Sequence, residues 1–284
     1  MTPGNSAKHY SICPENGTAL KGRTGMKIAV CGKGGVGKTF IAGSLAGYFS
    51  SAGRPVIAID ADSSPNLAPN LGLTQGEASR IVPVAENSEL IRMKTGTEYS
   101  GVMRLSFTVD DIISRYGVPT PSGANLLVMG TVKAMGSGCA CPVHSVIKAL
   151  MRHLVVERDE VVILDMEAGI EHLGRGTAGH VDVLLAVTDA NRKSLEIAAT
   201  ICRLAKGSEI RTIGLVANRV TGAQQEQVIR AFADAHDLPV LGLIPFDQQV
   251  SDAGVTGEAV DATRSRAVQA IEGLAKNLEN THAR

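Results

Sequence analysis

A glycine-rich segment near the start of the chain carries the clearest chemical signal. Residues 32–39 read Gly-Lys-Gly-Gly-Val-Gly-Lys-Thr and fit the phosphate-loop pattern G-x-x-x-x-G-K-[ST]. In this pattern backbone N–H groups close on phosphates, the lysine reaches the β- and γ-phosphates, and the hydroxyl binds Mg²⁺. The sequence therefore predicts a nucleotide site with Mg²⁺. Its predicted contacts in the loop are Gly34, Gly35, Val36, Gly37, Lys38, Thr39 and Phe40.

A second lysine lies inside this loop. Lys33 directly follows the first glycine, giving G-K-x-x-x-G-K, which resembles the deviant Walker A class of ATPases. The resemblance implies a lysine that crosses a dimer interface to the nucleotide of the partner subunit. A cation supplied by a partner can accelerate phosphoryl transfer by roughly 10³- to 10⁵-fold when it is an arginine finger. The alternative is that Lys33 is a solvated loop lysine.

Three aspartates at predicted strand ends complete the phosphate chemistry. Two apolar runs of strand length end in Asp60 and Asp165, and Asp62 follows the first of them. The carboxyl ends of parallel strands meet at one edge of a sheet, so we expect these groups beside the phosphate loop. Asp165 has the Walker B form and is expected to hold Mg²⁺ through water. The class resemblance implies that Asp60 assists the magnesium shell and Asp62 orients the attacking water; a polar turn that caps a helix is the alternative.

The residues after Asp165 predict a second switch segment. Residues 165–169 read Asp-Met-Glu-Ala-Gly, a D-x-x-x-G pattern that contains Glu167 and Gly169. The Gly169 N–H can donate towards the γ-phosphate, and glycine turns freely when that phosphate leaves. We therefore expect this segment to respond to the state of the nucleotide.

A C-x-C pair, Cys139 and Cys141, lies in residues 136–144. Pro142 is suited to the first position of a helix, which places both thiols near a helix N-terminus and favours the metal-binding thiolate. A tetrahedral structural site takes four ligands, and a two-fold axis through this loop would unite two pairs as Cys₄. His144 is a further candidate ligand. The alternative is that both cysteines are inert small hydrophobic residues.

The elements that must position these groups alternate between strands and helices. Strands are predicted at 26–31, 55–60, 89–94, 102–107, 125–132, 160–165, 181–189 and 212–217. Helices are predicted at 40–50, 109–116, 142–156, 194–206 and 257–278. Small and β-branched residues dominate, as in parallel sheets buried on both faces. The predicted fold is an α/β P-loop NTPase, a mostly parallel twisted sheet with helices on both faces.

The predicted domain organisation is simple. Residues 1–25 are polar and are expected to form a flexible N-terminal extension or to precede the natural start. Residues 26–284 form one ATPase domain, with an insertion at about 73–136 on the nucleotide-facing side and the cysteine loop at 136–144. The insertion is suited to hold a partner or client.

Composition excludes several function classes. The chain has 284 residues, 28 of them basic and 28 acidic, so no overall field favours nucleic acid or an anionic membrane as a partner. An odd number of cysteines, five, favours metal chemistry in a reducing, cytoplasmic compartment over a disulfide framework. No run of 18 apolar residues occurs, so no membrane span is predicted.

The class resemblance also implies a site for the nucleotide base. An asparagine in the position of Asn218 hydrogen-bonds the adenine edge in this class, and Arg219 follows it. The loop that contains Pro245, Phe246 and Asp247 is expected to close over the base. A polar strand end followed by a turn is the alternative.

Residues 165–175 read DMEAGIEHLGR, and together with GCACP at 138–142 and the two-lysine loop they resemble the CooC-type maturation ATPases of nickel carbon monoxide dehydrogenase. The resemblance runs from about residue 26 to near the C-terminus. It implies a homodimer that binds ATP and ADP and delivers or inserts nickel into that enzyme. Lys33, Lys38 and Asp62 would be its catalytic residues. Cys139 and Cys141 would bind Ni²⁺ or Zn²⁺ at the dimer interface.

Two departures and two alternatives accompany this resemblance, and the first departure is that residues 1–25 are not part of the family pattern. Ser63 and Ser64 precede Pro65 where the family usually has proline directly after the acids of the first switch. The first alternative function is an iron–sulfur carrier or redox ATPase of the same superfamily, with four cysteines of a dimer holding a [4Fe–4S] cluster. The second is a MinD- or ParA-like positioning ATPase, which leaves the cysteine pair unexplained.

Overall fold

The structure is a computed structural model that describes residues 25–97, 104, 107–130, 142–157, 160–167, 181–257, 260 and 263–282. Within these residues eight strands form one sheet in the order β3-β4-β2-β5-β1-β6-β7-β8. The strands are β1 Lys27–Gly32, β2 Val56–Asp60, β3 Val118–Pro119, β4 Asn125–Val128, β5 Val161–Asp165, β6 Val183–Thr188, β7 Thr212–Val220 and β8 Val240–Pro245. All neighbours are parallel except β3 and β4. The predicted α/β architecture is thereby confirmed.

Helices cover both faces of this sheet. They are α1 Lys38–Ser51, α2 Leu67–Asn70, α3 Gln75–Ala78, α4 Ser88–Thr95, α5 Ile112–Tyr116, α6 Pro142–Arg152, α7 Arg192–Ala205, α8 Ala223–Ala235, α9 Gln248–Thr256 and α10 Arg266–His282. A 3₁₀ turn spans Val84–Glu86, and a π-helical turn, His153–Glu157, follows α6. In the described part of the chain, no helix has the length and apolar character needed to cross a membrane.

Alternate residues of the strands pack into two separate cores. Along β1, Ile28 and Val30 enter the core beneath α1 and α10, whereas Ala29 and Cys31 enter the core beneath α6 and α7. All four side chains are fully buried. Burial on both faces explains why the strand sequences are nearly continuous apolar runs.

The strand order places the phosphate loop, Asp60 and Asp165 at the same edge of the sheet, the edge formed by the carboxyl ends of the parallel strands. In the centre of the sheet β5 lies between β2 and β1. Asp60 is the register partner of Asp165 across β2 and β5, and Val30 is the partner of Asp165 across β1 and β5. The loops that leave the carboxyl ends of these three strands therefore begin side by side.

The prediction of a strand at 89–94 is wrong, because this segment belongs to helix α4. The Asn87 side chain accepts a hydrogen bond from the Leu90 N–H at 2.9 Å and caps the helix. Leu90, Ile91 and Lys94 are buried, which is the spacing of a helix face. The apparent alternation over six residues was too short to distinguish the period of a strand from that of a helix.

The C-terminal region also differs from its prediction. The helix expected at 257–278 begins only at Arg266, and the separate helix α9 ends before Gly257, which has a φ of 74°. The left-handed conformation of this glycine ends α9. Four helices, α2, α3, α8 and α9, and two strands, β3 and β8, were not predicted, and the expected strand at 125–132 ends at Val128. Strand β4 lies inside the segment interpreted as an insertion, yet it pairs with β2 in the main sheet.

Candidate functional site

The phosphate loop connects β1 to α1 through a tight turn. Gly32 approaches β6 so closely that a Cβ atom would lie 2.3 Å from the Val187 carbonyl oxygen. Gly37 has a φ of 92°, and a Cβ atom there would lie 2.2 Å from Asn218 Nδ2. Glycine is therefore required by packing at both fixed glycine positions of the pattern.

The end of β7 anchors the loop. Asn218 Nδ2 donates to the Val36 carbonyl at 2.8 Å, and Arg219 Nη1 donates to the Gly35 carbonyl at 3.0 Å. Asn218 Oδ1 accepts the Arg219 N–H at 2.9 Å, and the Asn218 side chain is almost fully buried. Residues distant in sequence thus hold two carbonyl groups of the loop in place.

The predicted base-binding residues surround one cavity of about 280 Å³. Its lining includes Gly37, Phe40, Asn218, Arg219, Pro245, Phe246 and Asp247. The Asp247 carboxylate accepts hydrogen bonds from the Gln249 N–H at 3.0 Å, the Ser265 hydroxyl at 2.7 Å and the Ala267 N–H at 3.2 Å. Asp247 therefore connects the starts of α9 and α10 and shapes this cavity.

A larger neighbouring cavity of about 570 Å³ shares Gly37 and Arg219 with the first. Its lining also includes Gly34, Gly35, Lys38, Thr39, Asp62 and Glu167. The two cavities together bring the predicted phosphate, base and switch residues into one continuous region. Lys33 is half-buried in the loop and lines neither cavity. Its predicted action across a subunit interface stays a prediction.

The carboxylate of Asp165 is fully buried and interacts with Thr39, Lys38 and Asp62, three residues that line the larger cavity. Both of its oxygens are shielded from solvent and accept no well-formed hydrogen bond in the part of the chain that the structure describes. Burial raises the pKa of Asp165 to about 7. The negative charges of Asp60 and Asp62 raise this pKa further. The Thr39 hydroxyl and the positive charge of Lys38 lower it.

Asp60 is also buried, and burial raises its pKa. Its oxygens are better satisfied, since Oδ2 accepts the Leu67 N–H at 2.8 Å and Oδ1 accepts the Asp62 N–H at 3.3 Å. These backbone donors oppose the pKa rise. Asp60 therefore holds the chain after β2, whereas Asp165 retains its capacity to bind a cation.

The site fits a magnesium ion. A buried carboxylate without hydrogen-bond donors is costly unless a cation compensates it. Thr39 and Asp165 supply the oxygen ligands that Mg²⁺ prefers, and Mg²⁺ usually completes its shell with phosphate oxygens and water. Among the described residues no group of three or more His, Cys, Asp or Glu side chains forms a metal site, and this small ligand set needs none.

Asp62 lies opposite the loop lysine. Asp62 Oδ2 is 3.8 Å from Lys38 Nζ, and Asp62 Oδ1 accepts the Ser64 N–H at 3.0 Å. The next residue, Ser63, donates from its hydroxyl and from its N–H to Glu167 Oε1. Sequence reasoning missed this link between the two switch segments, because no local pattern relates residues so far apart.

The two cysteines proposed from sequence as nickel or zinc ligands, Cys139 and Cys141, lie outside the described residues, and so does the switch residue Gly169. The roles predicted for these three residues stay predictions. Of the remaining cysteines, Cys202 is fully buried in α7, and burial raises its pKa to about 11. Cys202 therefore stays a thiol at neutral pH.

Comparison with known proteins agrees with this geometry. Residues 27–260 match the CbiA family, the CobQ/CobB/MinD/ParA nucleotide binding domain. The chain is 44% identical over 234 residues to the carbon monoxide dehydrogenase accessory protein CooC of Rhodospirillum rubrum, covering 82% of this chain and 88% of that protein. It is 38% identical to an uncharacterised ATP-binding protein of Methanocaldococcus jannaschii, covering 90% of this chain and all of the relative.

Solved structures share the fold at lower sequence identity. The MinD cell division protein of Aquifex aeolicus superposes with a TM-score of 0.62 at 20% identity. The match covers 89% of this chain and 97% of the MinD chain. At this identity the likeness concerns the arrangement of the sheet and its helices.

Proposed function

Because the chain belongs to the CooC-type ATPases of the CobQ/CobB/MinD/ParA nucleotide-binding family, we propose that it hydrolyses ATP with Mg²⁺ and uses this cycle to mature a nickel enzyme. The client proposed is carbon monoxide dehydrogenase or a related nickel enzyme. The observation that carries the ATPase proposal is the buried carboxylate of Asp165, which accepts no well-formed hydrogen bond among the described residues and lies in register with Asp60 beside the phosphate loop. Such a costly arrangement makes physical sense where a cation and phosphates bind.

In the proposed reaction, a water molecule attacks the γ-phosphorus and the bond to the β,γ-bridging oxygen breaks, giving ADP and phosphate. Lys38 and the loop N–H groups bind the phosphates, and Asp62 orients the water. Thr39 and Asp165 would hold Mg²⁺, which neutralises charge on the phosphate oxygens when bound. Phe40, Asn218 and the 245–247 loop would enclose the base.

The second part of the proposal concerns the dimer. Lys33 would reach the nucleotide of the partner subunit, and Cys139 and Cys141 from two subunits would hold Ni²⁺ or Zn²⁺ as cargo. ATP would draw the subunits together, and hydrolysis would relax them. Thiolates do not select nickel by themselves, since Zn²⁺ suits a tetrahedral sulfur site as well.

Metal analysis combined with mass measurement of the intact protein tests this assembly. The samples are the protein without nucleotide, with ADP and with a non-hydrolysable ATP analogue, each with Mg²⁺. The proposal expects a dimer with the analogue and one Ni²⁺ or Zn²⁺ per two chains. A protein that remains monomeric under every condition but still hydrolyses ATP would contradict the dimer and leave the ATPase standing.

The iron–sulfur alternative is supported by the same cysteine pair. Anaerobic reconstitution with iron and sulfide separates the two functions. Broad visible absorption with four irons per dimer would favour a cluster carrier over a nickel carrier. A MinD- or ParA-like role would instead require ATP-dependent co-sedimentation with liposomes or DNA.

A further inference from the structure

Ser63 and Glu167 connect the two switch segments across the phosphate cavity. Glu167 Oε1 accepts two hydrogen bonds from Ser63, one from its hydroxyl and one from its N–H at 3.1 Å. Both residues line the phosphate cavity. We call this pair of contacts the clasp. It joins the chain that leaves β2 to the chain that leaves β5.

The residue next to the clasp is Asp62, the predicted water-orienting group. The Ser64 N–H and the interaction with Lys38 hold its two oxygens, and its own N–H donates to Asp60 at 3.3 Å. Asp62 is therefore restrained from both sides along the chain. With Ser63 fixed by Glu167, the Asp62 carboxylate stays turned towards Lys38.

This arrangement competes with phosphate binding. Lys38 is 6% exposed, and Asp62 is the carboxylate beside its ammonium group. An ammonium group paired with a carboxylate attracts phosphate less strongly, and the Asp62 and Glu167 carboxylates repel phosphate oxygens across the cavity. A triphosphate that reaches Lys38 must therefore displace Asp62 from it.

We infer that the clasp holds Asp62 on Lys38 in the nucleotide-free protein, so that Ser63 and Glu167 are positioning residues whose contact opposes triphosphate binding. The inference rests on the proposed ATPase function. A hydrogen bond to a charged group is stronger than a neutral one, so loss of the clasp should strengthen triphosphate binding by roughly threefold to tenfold. In this inference the clasp opens when the triphosphate displaces Asp62, so loss of the clasp should change KM and leave kcat unchanged.

The test uses the full chain with Mg²⁺ and either ATP or a non-hydrolysable analogue. Ser63→Ala removes the hydroxyl donor, and Glu167→Gln removes the charge of the acceptor. For Ser63→Ala we expect KM to fall roughly threefold to tenfold with kcat within about twofold of wild type, which is the signature of a change in uniform binding. Ser63→Thr retains a hydroxyl and should restore the wild-type KM.

The matched control is Ser64→Ala. The contacts of Ser64 given by the structure are made by its backbone, since its N–H donates to Asp62 and its carbonyl accepts from Asn66 Nδ2. Ser64→Ala keeps these backbone contacts, so its effect on KM should be smaller than that of Ser63→Ala. Thermal melting checks that each variant folds.

A double-mutant cycle identifies the clasp as the cause. If Ser63 and Glu167 act through each other, the effects of Ser63→Ala and Glu167→Gln on analogue affinity should be less than additive in the double variant. Equal affinities of Ser63→Ala and Ser64→Ala, fully additive effects, or weaker binding by Ser63→Ala would each overturn the inference. A wild-type protein that binds no nucleotide would instead refute the proposed function.

Discussion

Asp60 and Asp165 lie directly opposite each other at the carboxyl ends of two neighbouring parallel strands. The backbone N–H groups of Leu67 and Asp62 satisfy Asp60, whereas both oxygens of Asp165 are buried without a well-formed hydrogen bond in the described structure. Two similar carboxylates thus have different tasks. Asp60 accepts hydrogen bonds from the chain that follows β2, whereas Asp165 is the carboxylate that we propose holds Mg²⁺.

The first prediction concerns pH and stability. The pKa of Asp165 is about 7 in the folded protein, above its ordinary value of 3.8, so the folded state binds more protons between these two pH values. Titration of Asp165 therefore lowers the free energy of unfolding as pH rises from about 4 to about 7, by at most about 1.4 kcal/mol per pH unit. Asp165→Asn should remove this slope and stabilise the nucleotide-free protein at pH 8.

Denaturant unfolding at several pH values, with and without Mg²⁺ and ADP, measures this effect. Ligand-dependent stabilisation should be strong in the wild type and greatly reduced in Asp165→Asn. Asp110→Asn replaces a solvent-exposed aspartate and should retain the wild-type pH profile. An Asp165→Asn protein less stable than wild type at pH 8 without ligand would show that the buried charge is compensated in the folded state.

The second prediction separates two roles of Asn218. Its amide holds the Val36 carbonyl, so Asn218→Ala should weaken binding of ATP and of tripolyphosphate, which has no base, by a similar factor of roughly tenfold. If Asn218 instead reads adenine, only ATP binding should weaken. Calorimetry with both ligands provides the comparison, and Asn277→Ala, in the exposed last turns of α10, is the control.

The third prediction concerns Lys33. We expect Lys33→Ala to retain nucleotide affinity, because Lys33 does not line the cavities of its own chain, but to lose ATP-driven dimerisation and most of its turnover. Light scattering and phosphate release measure the two properties. Lys193→Ala removes an exposed lysine of α7 and should behave as wild type. Unchanged turnover in Lys33→Ala would refute the action across the interface.

The fourth prediction concerns the cysteine pair. Replacing Cys139 and Cys141 with Ser should abolish stoichiometric Ni²⁺ or Zn²⁺ binding, because serine does not supply the thiolate that these metals bind. Nucleotide affinity should be retained. Cys13→Ser, which leaves the C-x-C pair intact, should bind metal as the wild type does. Retention of one metal per dimer by the double serine variant would place the metal site elsewhere.

Local sequence patterns were sufficient for the centre of the fold. The apolar runs before Gly32, Asp60 and Asp165 predicted β1, β2 and β5, and the structure joins these strands in the middle of the sheet. Weak periodicity failed at α4, where a capping side chain and one buried face decided the conformation. Helix α8 and strand β8 were not predicted because few of their residues are fully buried, so their apolar patterns are weak.

The sequence by itself determined the phosphate loop, the aspartates at the ends of β2 and β5, and the α/β class. Each of these features depends on residue types that are close together in the chain. Only the tertiary structure decided two hydrogen bonds between residues far apart in the chain. Asn218 donates to the Val36 carbonyl, 182 residues away, and Ser63 donates to Glu167, 104 residues away. Strand order decides which loops become neighbours. The hydrogen-bond partner of a side chain therefore depends on which loops the sheet places next to it.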